Sequence, residues 1–154
     1  MSAFYQDIAT PVFLSTFFSW MIAQLLKAVI GIFRGGTKRQ RGFLRRLFWA
    51  TGGMPSSHSA LVTALATSIG FKESLSSPLF AISFFYAILT IRDALGVRMA
   101  AGTQARVLNQ LIARLSGRLD LKIKSVKEVN GHTVSEVSVG ILLGFFIAVA
   151  FSNL

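Results

Sequence analysis

Residues 11–33 read PVFLSTFFSWMIAQLLKAVIGIF, and the only charge among them is Lys27. A helix crossing a bilayer needs about 20 mostly apolar residues. This stretch meets that length and sets the fold class. Three further apolar runs follow, at about Pro55 to Phe71, Leu75 to Ile91 and Thr133 to Phe151. The last is comfortably long, and the middle two sit near the short limit of about 17 residues. None shows the polar face that a helix of an aqueous bundle needs. The pattern predicts an all-α integral membrane bundle of about four transmembrane helices, with residues 1–154 as one domain. Composition agrees. Apolar residues make up 53% of the chain, charged residues 14%, and mean hydropathy is +0.60, whereas soluble chains carry about 25% charge. Fourteen phenylalanines are more than a small aqueous globule can bury.

The charge is lopsided, 16 Lys and Arg against 6 Asp and Glu, and its placement is informative. Arg34, Lys38, Arg39, Arg41, Arg45 and Arg46 fall between the first two apolar runs. Only Lys72 and Glu73 fall between the second and third. Arg92, Arg98, Arg106, Arg114, Arg118, Lys122, Lys124 and Lys127 separate the third from the fourth, against Asp93, Asp120 and Glu128. Lys and Arg in short loops stay on the cytoplasmic side. Both basic loops are therefore expected inside and both termini outside. A nucleic-acid binder of this charge would spread its cations along a polar surface rather than between apolar runs, so no nucleic-acid partner is expected. Cysteine is absent, which excludes disulfides and thiolate chemistry. A cleavable signal peptide is not expected, because no basic n-region precedes the first apolar run and no small-residue cleavage site follows it. There is no internal repeat or low-complexity tract.

The last basic loop has structure of its own. Val107, Leu108, Leu111, Ile112 and Leu115 recur at helical spacing, with Arg106, Arg114 and Arg118 at other positions. This predicts an amphipathic helix, either at the inner interface among anionic headgroups or packed on the bundle. Gly140, Gly144 and Ala148 recur every four residues in the fourth run, as do Ala60, Ala64 and Ser68 in the second. Small residues at that spacing let helices approach closely.

Two histidines exist, His58 and His132, and each opens an apolar run on the face assigned as inner. Helix starts carry unpaired N–H groups and the positive dipole end, which favour anions. Pro55 suits a first-turn position, and Ser56 or Ser57 suits a cap or an anion ligand. His132 and Glu136 are four apart, on one helical face. A carboxylate there fixes the imidazole tautomer and stabilises its charged form. Lys27 and Arg34 are seven apart and project from one side of a helix, about 10 Å from each other. Such a pair either snorkels to headgroups or grips a phosphate.

Together these pieces resemble the three sequence blocks of the phosphatidic acid phosphatase type 2 superfamily, which includes the vanadium haloperoxidases. The blocks are K-x6-R-P, P-S-G-H and S-R-x5-H-x3-D. Here Lys27-x6-Arg34, Pro55-Ser56-Ser57-His58 and His132-x3-Glu136 stand in the same order. The stretches Gly52 to Ala60 and Asp93 to Arg98, with Ala101 to Gln104 and Asn109, look typical of a divergent branch. The resemblance covers about Gln24 to Gly144. Gly35, Ser57 and Glu136 replace the block residues Pro, Gly and Asp, and Val126 stands where the third block has Arg. Lys127 or Arg98 is the candidate replacement cation.

The resemblance implies a membrane lipid phosphate phosphatase. His132 is then the nucleophile, Glu136 orients it, and His58 is the general acid and base. Lys27, Arg34, Ser56, Ser57, Arg98 and Lys127 hold the phosphoryl group. No metal or other cofactor enters this scheme. Substrates would be cytoplasmic-leaflet lipids such as phosphatidylglycerophosphate, phosphatidic acid or a polyprenyl phosphate. A bacterial inner membrane, or an organelle membrane of bacterial descent, fits. Homo-oligomerisation stays open. The competing readings are a non-catalytic module that binds anionic lipid or scaffolds partners, and a transport subunit. Lys27 alone is sparse lining for a conduction path.

Overall fold

The computed structural model describes residues 10–33, 53–119, 123–128 and 131–153. It holds five α-helices in the order α1 (Pro11–Phe33), α2 (Ser57–Glu73), α3 (Pro78–Leu95), α4 (Val97–Leu119) and α5 (Val134–Ser152), with no strand among the described residues. Local chemistry sets the helix starts. Thr10 accepts the Phe13 N–H at α1, Ser56 accepts the Ser59 N–H at α2, and Ser77 accepts the Leu79 N–H at α3, where Pro78 opens the helix. At α5, Thr133 and Glu136 form a reciprocal capping box. Side-chain oxygens at these positions satisfy amides that have no partner within the helix.

The bundle is apolar outside and small or polar inside. Phe13, Phe17 and Leu26 of α1, Ile82, Phe85 and Leu89 of α3, and Leu142 and Phe146 of α5 are all exposed. The buried set includes Ala23, Ala60, Ala64, Ala94 and Ala148 with Ser15, Ser19, Ser56, Ser57, Ser59 and Ser68. An aqueous protein hides its large side chains and avoids wide apolar patches. A membrane bundle leaves them to lipid and brings small residues to the helix interfaces. The chain is therefore an all-α membrane protein. Three apolar segments, Pro11–Gly31, Pro78–Ser116 and Val134–Ser152, are long enough to cross a bilayer.

The helix count agrees roughly with the four spans expected, and the second expected run is α2. It has 17 residues, about 26 Å of helix, and is not among the three segments able to cross by length and composition. It is the central helix, packed against α1, α3 and α5. Its buried positions Ser57, Ser59, Ala60, Val62, Ala64, Ala66 and Ser68 run almost all the way round it. The two small-residue series meet here. A Cβ added at Gly140 or Gly144 of α5 would collide with the α2 backbone at Ser56 and Ala60 respectively. Ser15 of α1 hydrogen-bonds Ser68 of α2 at 2.6 Å, and Phe18 of α1 stacks on Phe151 of α5.

Two boundaries differ from expectation. α3 starts at Pro78 rather than Leu75, because Ser74 ends α2 at a φ of 85° and Ser77 caps the next helix. The amphipathic helix begins at Val97, only Gly96 separating it from α3. Val107, Leu108, Leu111 and Leu115 of α4 are exposed, while Gly102 and Ala105 are buried on the opposite side. That buried side also carries Asn109, which clasps segment 123–128. Its amide donates to the Val126 carbonyl (2.9 Å) and to Glu128 (3.0 Å), and its carbonyl accepts the Val126 N–H at 2.8 Å.

Candidate functional site

The directions of the helices bring the chemistry to one end. Ser15 pairs with Ser68 and Lys27 with Ser57, so α1 and α2 are antiparallel. Gly140 lies on Ser56 and Gly144 on Ala60, so α2 and α5 run parallel. The end of α1, the start of α2, the end of α3 and the start of α5 therefore lie together.

At that end the α2 start is locked in place. The Ser56 N–H donates to the Glu136 carbonyl at 2.9 Å, and the Ser59 hydroxyl donates to Ser56 Oγ at 2.9 Å. Ser56 is thus the cap, and Ser57 is the first helical residue. Pro55 precedes the cap rather than occupying the first turn, because Ser56 holds the capping geometry. Gly53 has a φ of +85°, and the Lys27 stem runs beside it. Glycine suits that left-handed backbone at little steric cost.

Lys27 is only 8% exposed, and its Nζ donates to Ser57 Oγ at 3.4 Å. A buried ammonium is costly unless polar groups surround it. The side-chain oxygen of Gln24, one turn earlier, is buried with no hydrogen-bond partner among the described residues. His132 is 4% exposed. Its Nδ1 lies 3.0 Å from Glu136 Oε2, and the same carboxylate oxygen accepts the Thr133 N–H at 3.1 Å. A carboxylate only accepts, so Nδ1 carries the proton of this bond, and in the neutral ring the lone pair is then on Nε2. The His132 N–H donates to the Ala94 carbonyl of α3 at 3.3 Å. A Cβ on Gly131 would overlap the Met99 backbone, so the α3–α4 elbow closes on this loop.

His58 is exposed at the second position of α2. Among the described residues, the titratable groups near enough to act on it are Arg98, Lys27, His132 and Asp93. The structure thus brings Lys27, Ser56, Ser57, His58, Arg98, His132 and Glu136 to one site. The first-turn amides of α2 sit beside Lys27, where helix geometry leaves N–H groups available to an anion. Arg34 lies outside the described residues. Lys127 is exposed on segment 123–128, with no hydrogen bond or ion pair to the site among the described residues. Sequence reasoning left Asp93 without a role. Asp93 Oδ2 accepts from Arg98 Nε at 2.6 Å. The signal for this pair was Gly96 between an acid and a base.

A family model described as "Divergent PAP2 family" matches residues 8–147 of the chain. The uncharacterized membrane protein YuiD of Bacillus subtilis (strain 168) is 42% identical over 118 residues, covering 67% of this chain and 75% of that protein. No solved structure matches the chain significantly. The divergent-branch resemblance read from the three sequence blocks is borne out by the family match.

Proposed function

Because this chain belongs to the divergent PAP2 family, we propose that it is a membrane phosphatase that removes the phosphate of a lipid phosphomonoester. The observation that carries the reading is the buried His132, held at Nδ1 by Glu136 beside the Lys27–Ser57 pair and the exposed His58. Lys27, Arg98 and the first amides of α2 hold the phosphoryl oxygens. Nε2 of His132 attacks phosphorus as the bond to the lipid oxygen breaks, and His58 gives that oxygen its proton. His58 then takes a proton from water as the water oxygen attacks phosphorus. The P–N bond breaks, releasing inorganic phosphate and regenerating His132. Most of the work is positioning and charge stabilisation, which suits a site built from cations and a helix start. Acid–base help from the second imidazole is typically worth ~10²–10⁴-fold.

Residues 1–154 act as one unit in this proposal. The site lies at one end of a membrane bundle, so the phosphate it meets is attached to a lipid. Phosphatidylglycerophosphate, phosphatidic acid and polyprenyl phosphates have that chemistry. The basic loops support a cytoplasmic orientation for this end in the proposal, at the bacterial inner membrane or an organelle membrane of bacterial descent. The competing reading, an anionic-lipid-binding or scaffold module without turnover, draws on the exposed apolar and basic residues of α4. Purified protein in detergent, assayed for phosphate release from each lipid class, separates the two. The phosphatase reading expects release that falls in both His58→Ala and His132→Ala, and a phosphorylated protein trapped in the wild type but not in His132→Ala. Equal background release from all three proteins leaves the binding module standing.

A further inference from the structure

We propose that Asp93 is a positioning residue: by holding Nε of Arg98 it aims the guanidinium's other edge at the anion site between His58 and His132. The contact spans the α3–α4 elbow. Residues five apart on a continuous helix lie about 140° apart around the axis and do not meet. Gly96 interrupts the helix between them, its N–H bonding the Arg92 carbonyl at 2.8 Å, and the Arg98 and Asp93 side chains touch at 2.6 Å. Asp93 binds Nε alone, and the two terminal nitrogens make no hydrogen bond among the described residues. A guanidinium held at one edge presents its remaining donors in a fixed plane, the geometry that suits a phosphoryl group. Both members of the pair lie near enough to His58 to act on its charge. The same elbow holds the other imidazole through the Ala94 carbonyl and the His132 N–H, and through the close approach of Met99 to Gly131. One elbow therefore sets the distance between the cation and the nucleophile. This accounts for a site in which Val126 stands at the position of the third-block arginine. Both side chains are more than a third exposed, so the pair adds little to stability, and its value lies in direction.

The kinetic arm rests on the phosphatase reading, and the binding arm does not. Full-length wild type, Asp93→Asn, Asp93→Glu, Arg98→Ala and the Asp93→Asn/Arg98→Ala double variant are purified in detergent. Each is titrated with orthovanadate by calorimetry and assayed for phosphate release from phosphatidylglycerophosphate in mixed micelles. Arg98→Ala is expected to lower kcat/KM by ~10²-fold, as loss of one oxyanion donor does. Asp93→Asn is expected to weaken vanadate binding and kcat/KM by ~10-fold, because a misaimed donor loses part of that effect. Asp93→Glu recovers part of the loss. The double variant falls no further than Arg98→Ala alone, because Asp93 acts only through the arginine. A merely structural Asp93 would lower the thermal midpoint and add its loss to that of Arg98→Ala. The proposal is overturned if Asp93→Asn matches wild type in both arms, if the two losses multiply, or if wild type binds no vanadate. Histidine-dependent turnover with an indifferent Asp93 overturns this inference and leaves the phosphatase standing. Asp93-dependent vanadate binding without turnover supports the inference and removes the phosphatase.

Discussion

Replacing Gly140 with alanine tests the crossing on which the whole site is built. The new Cβ would lie 2.5 Å from the Ser56 carbonyl oxygen and 3.2 Å from Ser59 Cβ. The carbonyl cannot swing aside, since it already accepts the Ala60 N–H at 3.0 Å. Reaching the 3.4 Å where ordinary contact begins requires α5 and α2 to part by about 0.9 Å at this level. Overpacking of this kind costs ~1–3 kcal/mol, and a backbone partner puts it at the upper end. Alanine recovers up to ~1 kcal/mol of helix propensity, leaving a net loss of about 1–2 kcal/mol, near tenfold in the folded-to-unfolded ratio. Gly31 is the matched control. It lies in α1 with nothing within 4 Å of an added Cβ, so Gly31→Ala keeps only the propensity gain. Titration of each variant from mild detergent into dodecyl sulfate, followed by circular dichroism, should separate them by about 2–3 kcal/mol. The displacement also strikes the Ser56–Glu136 backbone contact beside His132. Phosphate release by the surviving folded Gly140→Ala protein should therefore fall by up to ~10²-fold, as for a 1 Å misplacement. If Gly140→Ala unfolds together with Gly31→Ala and keeps full turnover, the α2–α5 contact described here does not exist.

Three other substitutions probe separate parts of the molecule. Glu136→Gln keeps an acceptor for the Thr133 N–H but removes the charge opposite Nδ1 of His132. It should lower kcat by ~10²-fold or more with a near-normal thermal midpoint, measured by steady-state phosphate release. Lys27→Met keeps the stem beside Gly53 and removes the buried ammonium. Anion affinity should fall in a vanadate titration while the thermal midpoint holds or rises, because burying a charge is costly to the fold. Asn109→Ala removes all three hydrogen bonds that clasp residues 123–128, each worth ~0.5–1.5 kcal/mol net. Trypsin should then cut faster after Lys124 and Lys127, with bundle unfolding unchanged. Unaltered cleavage would mean that the clasp does not hold this segment.

Much of the architecture was legible because hydropathy and capping are local. The run at 11–33 became α1 with both ends as read, and the run at 133–151 became α5 one residue later. Thr133 and Glu136 mark the start of α5 by chemistry within four residues, whereas hydropathy placed the start of α3 at Leu75, ahead of the Ser77 cap and Pro78. The small-residue series at Gly140, Gly144, Ala60 and Ala64 announced a close crossing, and the two series proved to face each other. The role of α2 was less legible. Its serines and alanines weaken the apolar signal because it is covered by other helices rather than by lipid. The extent of α4 was hidden because a single glycine, with no proline or polar cluster, separates it from α3.

Composition and spacing alone establish an all-helical membrane chain with His58, His132 and Lys27 near helix ends, since each of those facts depends on residues a few positions apart. Which groups meet was decided by packing. The Lys27–Ser57 contact bridges 30 positions, and the Ser56–Glu136 backbone bond bridges still more. The second joins α2 to α5 where glycine lets α5 lie directly on the α2 backbone. That Arg98, across Gly96 from Asp93, lies near enough to act on His58 is likewise decided by tertiary structure. A bend in direction between two helices redirects every side chain beyond it, and no local pattern of residues records where they end up.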